Sequence, residues 1–264
     1  MQIASDAGLA VEEDAGILTI RIETEPDQNR LSAAGLSALE RIGGGLQQRD
    51  DINVVVLTGA GSRFFCTGIL NPVLRASMAK DDVVALVRLA NRAFDALETA
   101  PQIVIAALNG ELRAGGAELA LACDIRVAAS SATMMFPEAA WGGFPGAGGP
   151  FRLAEIVGRG DALDLICSGR RVDAAELLRL RLVQRVVAPD NLAAEVKALA
   201  SIIAAAGPLA TRGAKRIVQA RLGSGRAEAA NLSDRLRYAL EWSADVDEGI
   251  AAHRENRPPV FTGR

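Results

Sequence analysis

Hydrophobic positions change period along the chain. Residues 17–23 (ILTIRIE) alternate, with Leu18, Ile20 and Ile22 on one side and Thr19, Arg21 and Glu23 on the other. That is the period of a half-buried strand. INVVVLTG (52–59) is a continuous apolar, β-branched run, the pattern of a strand covered on both faces. IVIAALN (103–109) and DIRVAAS (124–130) predict two further buried strands. Elsewhere the period lengthens. Leu36, Leu39, Ile42 and Leu46 recur at helical spacing after Ser32, a candidate N-cap. Gly43, Gly44 and Gly45 fall inside that stripe, and each costs about 1 kcal/mol against Ala in a helix, which predicts a kinked or frayed element. Residues 81–99 predict a second helix through Val84, Val87, Ala90, Phe94 and Leu97. From about Leu153 helical spacing dominates, broken at Gly207-Pro208 and at Gly223-Ser224-Gly225. Pro258-Pro259 ends it. Short buried strands alternating with helices predict a layered α/β fold. A helical C-terminal region then packs on that body or on a neighbouring subunit.

Composition removes several classes of chemistry. At 264 residues and 50% hydrophobic, the chain has material for a core without disulfide or metal staples. A formal charge of −3 gives no broad pull toward nucleic acid or anionic lipid. One tyrosine, Tyr238, is little for base stacking. The single histidine, His253, excludes paired-histidine metal sites and leaves a Ser-His-Asp triad without a base outside the tail. Cys66, Cys123 and Cys167 are widely spaced with no C-x-x-C, which predicts reduced thiols acting as small buried residues. MQIASDAGLAVEED (1–14) has acids where a signal peptide has its apolar segment, and no uncharged stretch reaches the roughly 18 residues of a membrane helix. The expectation is a soluble cytoplasmic protein with no metal and no membrane or nucleic-acid partner. The nucleotide signatures are missing as well. GGFPGAGGP (142–150) has glycines without the following Lys of a phosphate loop, no G-x-G-x-x-G follows the first strand, and there is no G-x-S-x-G. The chemistry is left to carboxylates and backbone groups.

Three segments stand out: SRFFCTGIL (62–70), NGELRAGGAELALACDI (109–125) and FPEAAWGGFPGAGG (136–149). In this order they resemble the enoyl-CoA hydratase/isomerase (crotonase) superfamily. The carrying residues are Asn109-Gly110, Ala114-Gly115-Gly116-Ala117-Glu118-Leu119, Ala122-Cys123-Asp124-Ile125, and Pro137-Glu138 followed by Pro145-Gly146-Ala147-Gly148-Gly149. SGRRVDAAELLRLRLVQRVV (168–187) and the ending RPPVFTG extend the likeness over nearly the whole chain. The resemblance implies a spiral of repeated ββα units over residues 1–200 carrying the site. Residues 201–264 would form a helical region for assembly into trimers or hexamers. It implies acyl thioesters of coenzyme A as substrates, with no cofactor beyond that CoA. The thioester oxygen would be held by the N–H groups of Ile69, which follows Gly68, and of Gly115. A helix start with free N–H groups suits a developing negative charge on its own physics. Glu118 would activate water and Glu138 donate a proton at C2, a pair that tilts the reading toward hydration. By the same resemblance Arg63 would meet CoA phosphates, Thr67 the adenine, and Trp141 the acyl pocket; Arg30 is a further candidate for a phosphate.

The match has departures. Leu70 stands where relatives commonly carry Asp, Pro72 where they carry a basic residue, and Ala114 where they carry the first Gly of a triplet. Glu111 and Arg113 replace apolar or aromatic residues, and could pair with each other. His253 and Asn256 fall near positions that in relatives touch CoA from a neighbouring subunit. An isomerase, decarboxylase or thioester hydrolase built on the same two N–H groups, or an acyl-CoA-binding protein with weakened catalysis, therefore stands beside the hydratase reading.

Overall fold

A computed structural model describes residues 7–264, so positions 1–6 of the N-terminal segment discussed above lie outside the described residues. Strands β1 (Leu9–Asp14) and β2 (Ile17–Ile22) pair antiparallel. Helix α1 (Ala33–Gly45) follows. Then come three turns of one theme. The first runs β3 (Val54–Gly59), β4 (Phe64–Cys66), α2 (Pro72–Ala76) and α3 (Lys80–Glu98). The second runs β5 (Ile103–Leu108), β6 (Glu111–Arg113) and α4 (Gly115–Leu121). The third runs β7 (Ile125–Ala129), β8 (Thr133–Met135) and α5 (Gly149–Ser168). The long strand of each turn joins a six-stranded sheet and the short strand a four-stranded one. β10 (Arg185–Val187) closes the larger sheet, in the order β1-β2-β3-β5-β7-β10, and β9 (Val172–Asp173) the smaller, in the order β4-β6-β8-β9. This is the expected ββα spiral.

The patterns explain the layers. Leu18, Ile20 and Ile22 of β2 are buried on one side. In β3, Val55 and Leu57 face a core shared with Leu36 and Leu39 of α1 and Phe94 of α3, while Val54 and Val56 face a second core formed with Leu192, Val196 and Leu199 of α7 (Leu192–Ala204). Both faces are thus covered, which is why β3 and β5 read as continuous apolar runs.

Two expectations are corrected. Helix α1 is not kinked at its glycines. It runs unbroken to Gly45, capped by Ser32, whose hydroxyl accepts the Gly35 N–H at 3.1 Å. A Cβ on Gly43 would lie 2.7 Å from the Ala96 carbonyl carbon, so this glycine permits α1 to approach α3 closely and its propensity cost is offset by packing. Cys66 and Cys123 are buried as expected, but Cys167 is exposed, because its position near the end of α5 faces away from the core. Helix α5 also starts before Leu153, at Gly149, and is broken at Gly158.

Helices α8 (Pro208–Gly223), α9 (Arg226–Glu241) and α10 (Ala244–Glu255) break where Gly-Pro and Gly-Ser-Gly predicted. Contacts distant in sequence pin α8 to the α/β body. The buried Lys215 ammonium donates to Asp124 at 2.7 Å and to the Gln102 carbonyl at 2.9 Å. Asp124 in turn accepts the Val104 N–H at 2.8 Å, so this motif acid ties a helix to the sheet. Asn109 is structural too: its Oδ1 accepts the Gly59 N–H at 3.1 Å and its Nδ2 donates to Gly61 and Phe64 carbonyls.

Candidate active site

The turn after β4 and the start of α4 meet at one point. Gly68, at φ +97°, takes a conformation L side chains rarely adopt, and a Cβ there would lie 2.9 Å from Gly115 N. This close approach sets the peptides of Ile69 and Gly115 side by side. Among the described residues neither N–H has a protein acceptor, and Gly115 is the first residue of α4, whose N–H no helical partner can satisfy. The helix is held from behind by Gly116, where a Cβ would stand 1.9 Å from the Cys66 carbonyl oxygen.

Ala114 precedes this pair at φ 52°, ψ −132°. A residue with a side chain in such a region is strained by about 1–3 kcal/mol, and the Gly more usual at this point of the motif would not be. Ala114→Gly is expected to raise stability by about 1 kcal/mol after the roughly 0.5–1 kcal/mol chain-entropy cost of glycine. Denaturant midpoints check this, and a midpoint below that of the parent chain contradicts it.

Glu118 lies one turn along α4 and is 2% exposed. Its Oε1 accepts the N–H groups of Ala147 at 2.7 Å and Gly149 at 2.8 Å. Burial pushes its carboxyl up to about 7, against those two hydrogen bonds, and the charge of Glu138 adds to the rise. Glu138 sits in the 3-10 turn Pro137–Trp141, behind the N-terminal proline. Burial raises it also to about 7. Its Oε2 is buried with no partner among the described residues. Two carboxyls so placed resist ionising together.

Both glutamates open onto one cleft of about 760 Å³, which Ile69, Gly115 and Trp141 also line. Trp141, with core packing as its rival placement, is 44% exposed and forms part of the wall. The other candidates lie apart from this cleft. Arg63 borders a separate hollow of about 360 Å³ with Glu25, Pro26 and Gln28, its guanidinium 5.2 Å from the Phe64 ring centroid. The Thr67 hydroxyl donates to the Gln28 carbonyl at 3.0 Å, and Arg30 is ion-paired with Asp27. Arg113 pairs with Glu111 at 3.4 Å and also reaches the Gln28 side chain, and Glu111 takes a second cation, Arg171, at 2.9 Å. His253 and Asn256 are exposed at the end of α10. A third hollow of about 490 Å³ between the large sheet and α7, bordered by Thr19, Thr58 and Lys197, contains none of the candidate residues. Among the described residues no group of three or more His, Cys, Asp or Glu could hold a metal ion.

One supporting residue escaped sequence reasoning. The Arg152 side chain is 1% exposed. It donates to the Ala147 carbonyl at 2.8 Å and is ion-paired with Asp95 and Glu98 of α3. It thereby holds Ala147, the residue whose N–H group Glu118 accepts. An arginine among the apolar positions of α5 carries no local signal of this contact, which spans 57 positions to Asp95.

The sequence model of the enoyl-CoA hydratase/isomerase family matches residues 12–264. YngF of Bacillus subtilis, described as an enoyl-CoA hydratase/isomerase, is 38% identical over 89% of this chain and 90% of its own. The short-chain-enoyl-CoA hydratase of Clostridium acetobutylicum is 32% identical over 79% of each chain. The crystal structure of enoyl-CoA hydratase from Bacillus anthracis superposes with a TM-score of 0.94 at 34% identity, covering 97% of this chain and all of that one.

Proposed function

The chain belongs to the enoyl-CoA hydratase/isomerase family, and on that premise we propose that it adds water across the double bond of a 2-enoyl-CoA thioester. The observation that carries the reading is the pair of glutamates, Glu118 buried and Glu138 half-buried, facing one cleft beside two backbone N–H groups without a protein acceptor among the described residues.

The steps follow from charge. The thioester oxygen lies between the N–H groups of Ile69 and Gly115. As water attacks C3, negative charge gathers on that oxygen, and fixed donors that need no reorganisation stabilise it by about 3–4 kcal/mol apiece. Glu118 takes the proton of the attacking water and Glu138 delivers a proton to C2. The asymmetry of their surroundings supports this division. Two N–H bonds favour the carboxylate form of Glu118, whereas the unpartnered Oε2 favours the acid form of Glu138. Glu118 ends protonated and Glu138 ionised, and one proton passed back between them restores the pair. Water and the thioester balance the reaction.

Loss of enoyl absorbance on mixing with crotonyl-CoA tests the proposal. A panel of 2-enoyl- and acyl-CoA thioesters followed by mass spectrometry extends it to isomerisation, decarboxylation and hydrolysis. No hydration of any 2-enoyl-CoA overturns it. The pH dependence follows from the same pair. One glutamate has to be ionised and the other protonated, and both titrate near 7, so kcat/KM is expected to be bell-shaped with its maximum near neutrality. Rate falls on the acid side as Glu118 gains its proton, and on the alkaline side as Glu138 loses its own. A rate flat between pH 5 and 9 contradicts the assignment.

A further inference from the structure

The cleft holds two cations that the hydration chemistry leaves unused. Arg75 lies on α2 and Arg88 on α3, and both line the same space as the glutamates. On α3 the residues facing the cleft are Val83, Val84, Val87, Arg88 and Asn91, spaced as one helical face. Asn91 is committed to the wall, donating to the Gly146 carbonyl at 2.8 Å. On the opposite side a Cβ at Gly143 would lie 3.7 Å from Arg75 Nη1, so this guanidinium lies along the turn that follows Glu138. Neither arginine is among the ion pairs formed by the described residues, although the arginines nearby in the fold, Arg92 and Arg152, both have acidic partners.

The arginines do not serve the glutamates. The cation whose charge reaches Glu118 is Arg152, and burial with no opposing cation governs Glu138. Among the described residues neither guanidinium is hydrogen-bonded to Glu118 or Glu138. Much of the remaining wall is apolar, supplied by Leu70, Val83, Val84, Val87 and Phe144. A chain that fills this space meets two N–H groups without protein acceptors, apolar side chains, and two cations without acidic partners among the described residues.

We propose that the cleft selects acyl thioesters whose acyl group ends in a carboxylate, with Arg75 and Arg88 as the groups that read that terminal charge. A guanidinium binds a carboxylate through paired, charge-assisted hydrogen bonds, and a purely alkyl chain offers neither cation a partner. The inference rests on the reading of the cleft as an acyl-CoA site and names the class of acyl group.

Calorimetry with saturated thioesters separates binding from turnover. Glutaryl-, adipyl- and suberyl-CoA are titrated against pentanoyl-, hexanoyl- and octanoyl-CoA, with free CoA as reference. At one chain length or more the carboxylated thioester is expected to bind at least about tenfold tighter than its neutral counterpart. In the doubly substituted chain, Arg75→Gln with Arg88→Gln, the preference is expected to fall below about threefold while binding of free CoA is unchanged. Both side chains are exposed, so the variant is expected to fold, which its circular dichroism confirms. No preference at any length overturns the proposal, as does a preference that survives the substitutions. Equal weakening of free CoA and every acyl-CoA overturns it too, because the arginines would then bind the phosphates of CoA. Hydration of crotonyl-CoA is followed in parallel. A calorimetric preference without hydration leaves this inference standing and removes the hydratase reading, and hydration without a preference does the reverse.

Discussion

Glu118→Gln is expected to lose at least about 100-fold in hydration rate and, at pH 8, to melt at a higher temperature than the parent chain. The two effects share one cause. Gln retains an oxygen that can accept the Ala147 and Gly149 N–H groups, so the local geometry persists, but it cannot take a proton from water. It also carries no charge. The carboxyl titrates near 7 in the fold against 4.5 when free, so the folded chain holds this proton more tightly than the unfolded one. Its contribution to stability is complete below about pH 4.5 and is lost as pH rises through 7. At pH 8 the native state therefore bears an ionised buried group at a cost of order 3 kcal/mol, which the substitution removes. At pH 4.5 the two chains are expected to melt together. Glu138→Gln is expected to cost a comparable factor in rate. Steady-state hydration assays and melting curves at the two pH values check this. Full activity in either variant removes the glutamate from the mechanism, and a Glu118→Gln chain less stable than the parent at pH 8 removes the burial argument.

Two adjacent glycines are expected to respond in opposite ways. Gly116→Ala puts a methyl 1.9 Å from the Cys66 carbonyl oxygen and 2.5 Å from its carbon. Both are backbone atoms of β4, which is paired to β6, so neither can yield without breaking the small sheet. We expect a loss above about 3 kcal/mol, beyond ordinary overpacking, seen as a collapse of the denaturant midpoint or failure to recover soluble protein. Gly115→Ala meets nothing nearer than 3.4 Å and is expected to fold normally. Its methyl stands 3.5 Å from Ile69 N, where the proposed mechanism puts the thioester oxygen, and turnover is expected to fall at least about 100-fold. A Gly116→Ala chain of parental stability, or a fully active Gly115→Ala chain, contradicts the close packing of the two peptides.

Much of this was legible without coordinates, and the reasons are local. β3 and β5 are buried on both faces, so their sequences are uniformly apolar. Ser32 caps α1 through a contact three residues away. Glu118 and Glu138 were found through motif likeness, since a lone Glu after glycines has no distinguishing pattern. The strands of the small sheet have two or three residues each, too few to show a period. Gly43 reads as a helix breaker because propensity is counted along one element, whereas its function is to admit Ala96 from another. Arg152 and Lys215 act across 57 and 91 positions, and nothing near them in sequence distinguishes either from a solvated surface residue. Arg75 and Arg88 are invisible for the same reason.

The two hydrogen bonds from Ala147 and Gly149 to Glu118 have a consequence for engineering. On the proposed mechanism, the segment that walls the cleft also tunes the proposed base, Glu118, through these two N–H groups. Exchanging residues 142–149 with those of a relative to change substrate range would thus change base strength too, and each graft would arrive with its own pH optimum. Pocket shape and acidity form one module here, with Arg152 as its anchor, so a successful graft has to carry the arginine and its partners Asp95 and Glu98 along with the loop.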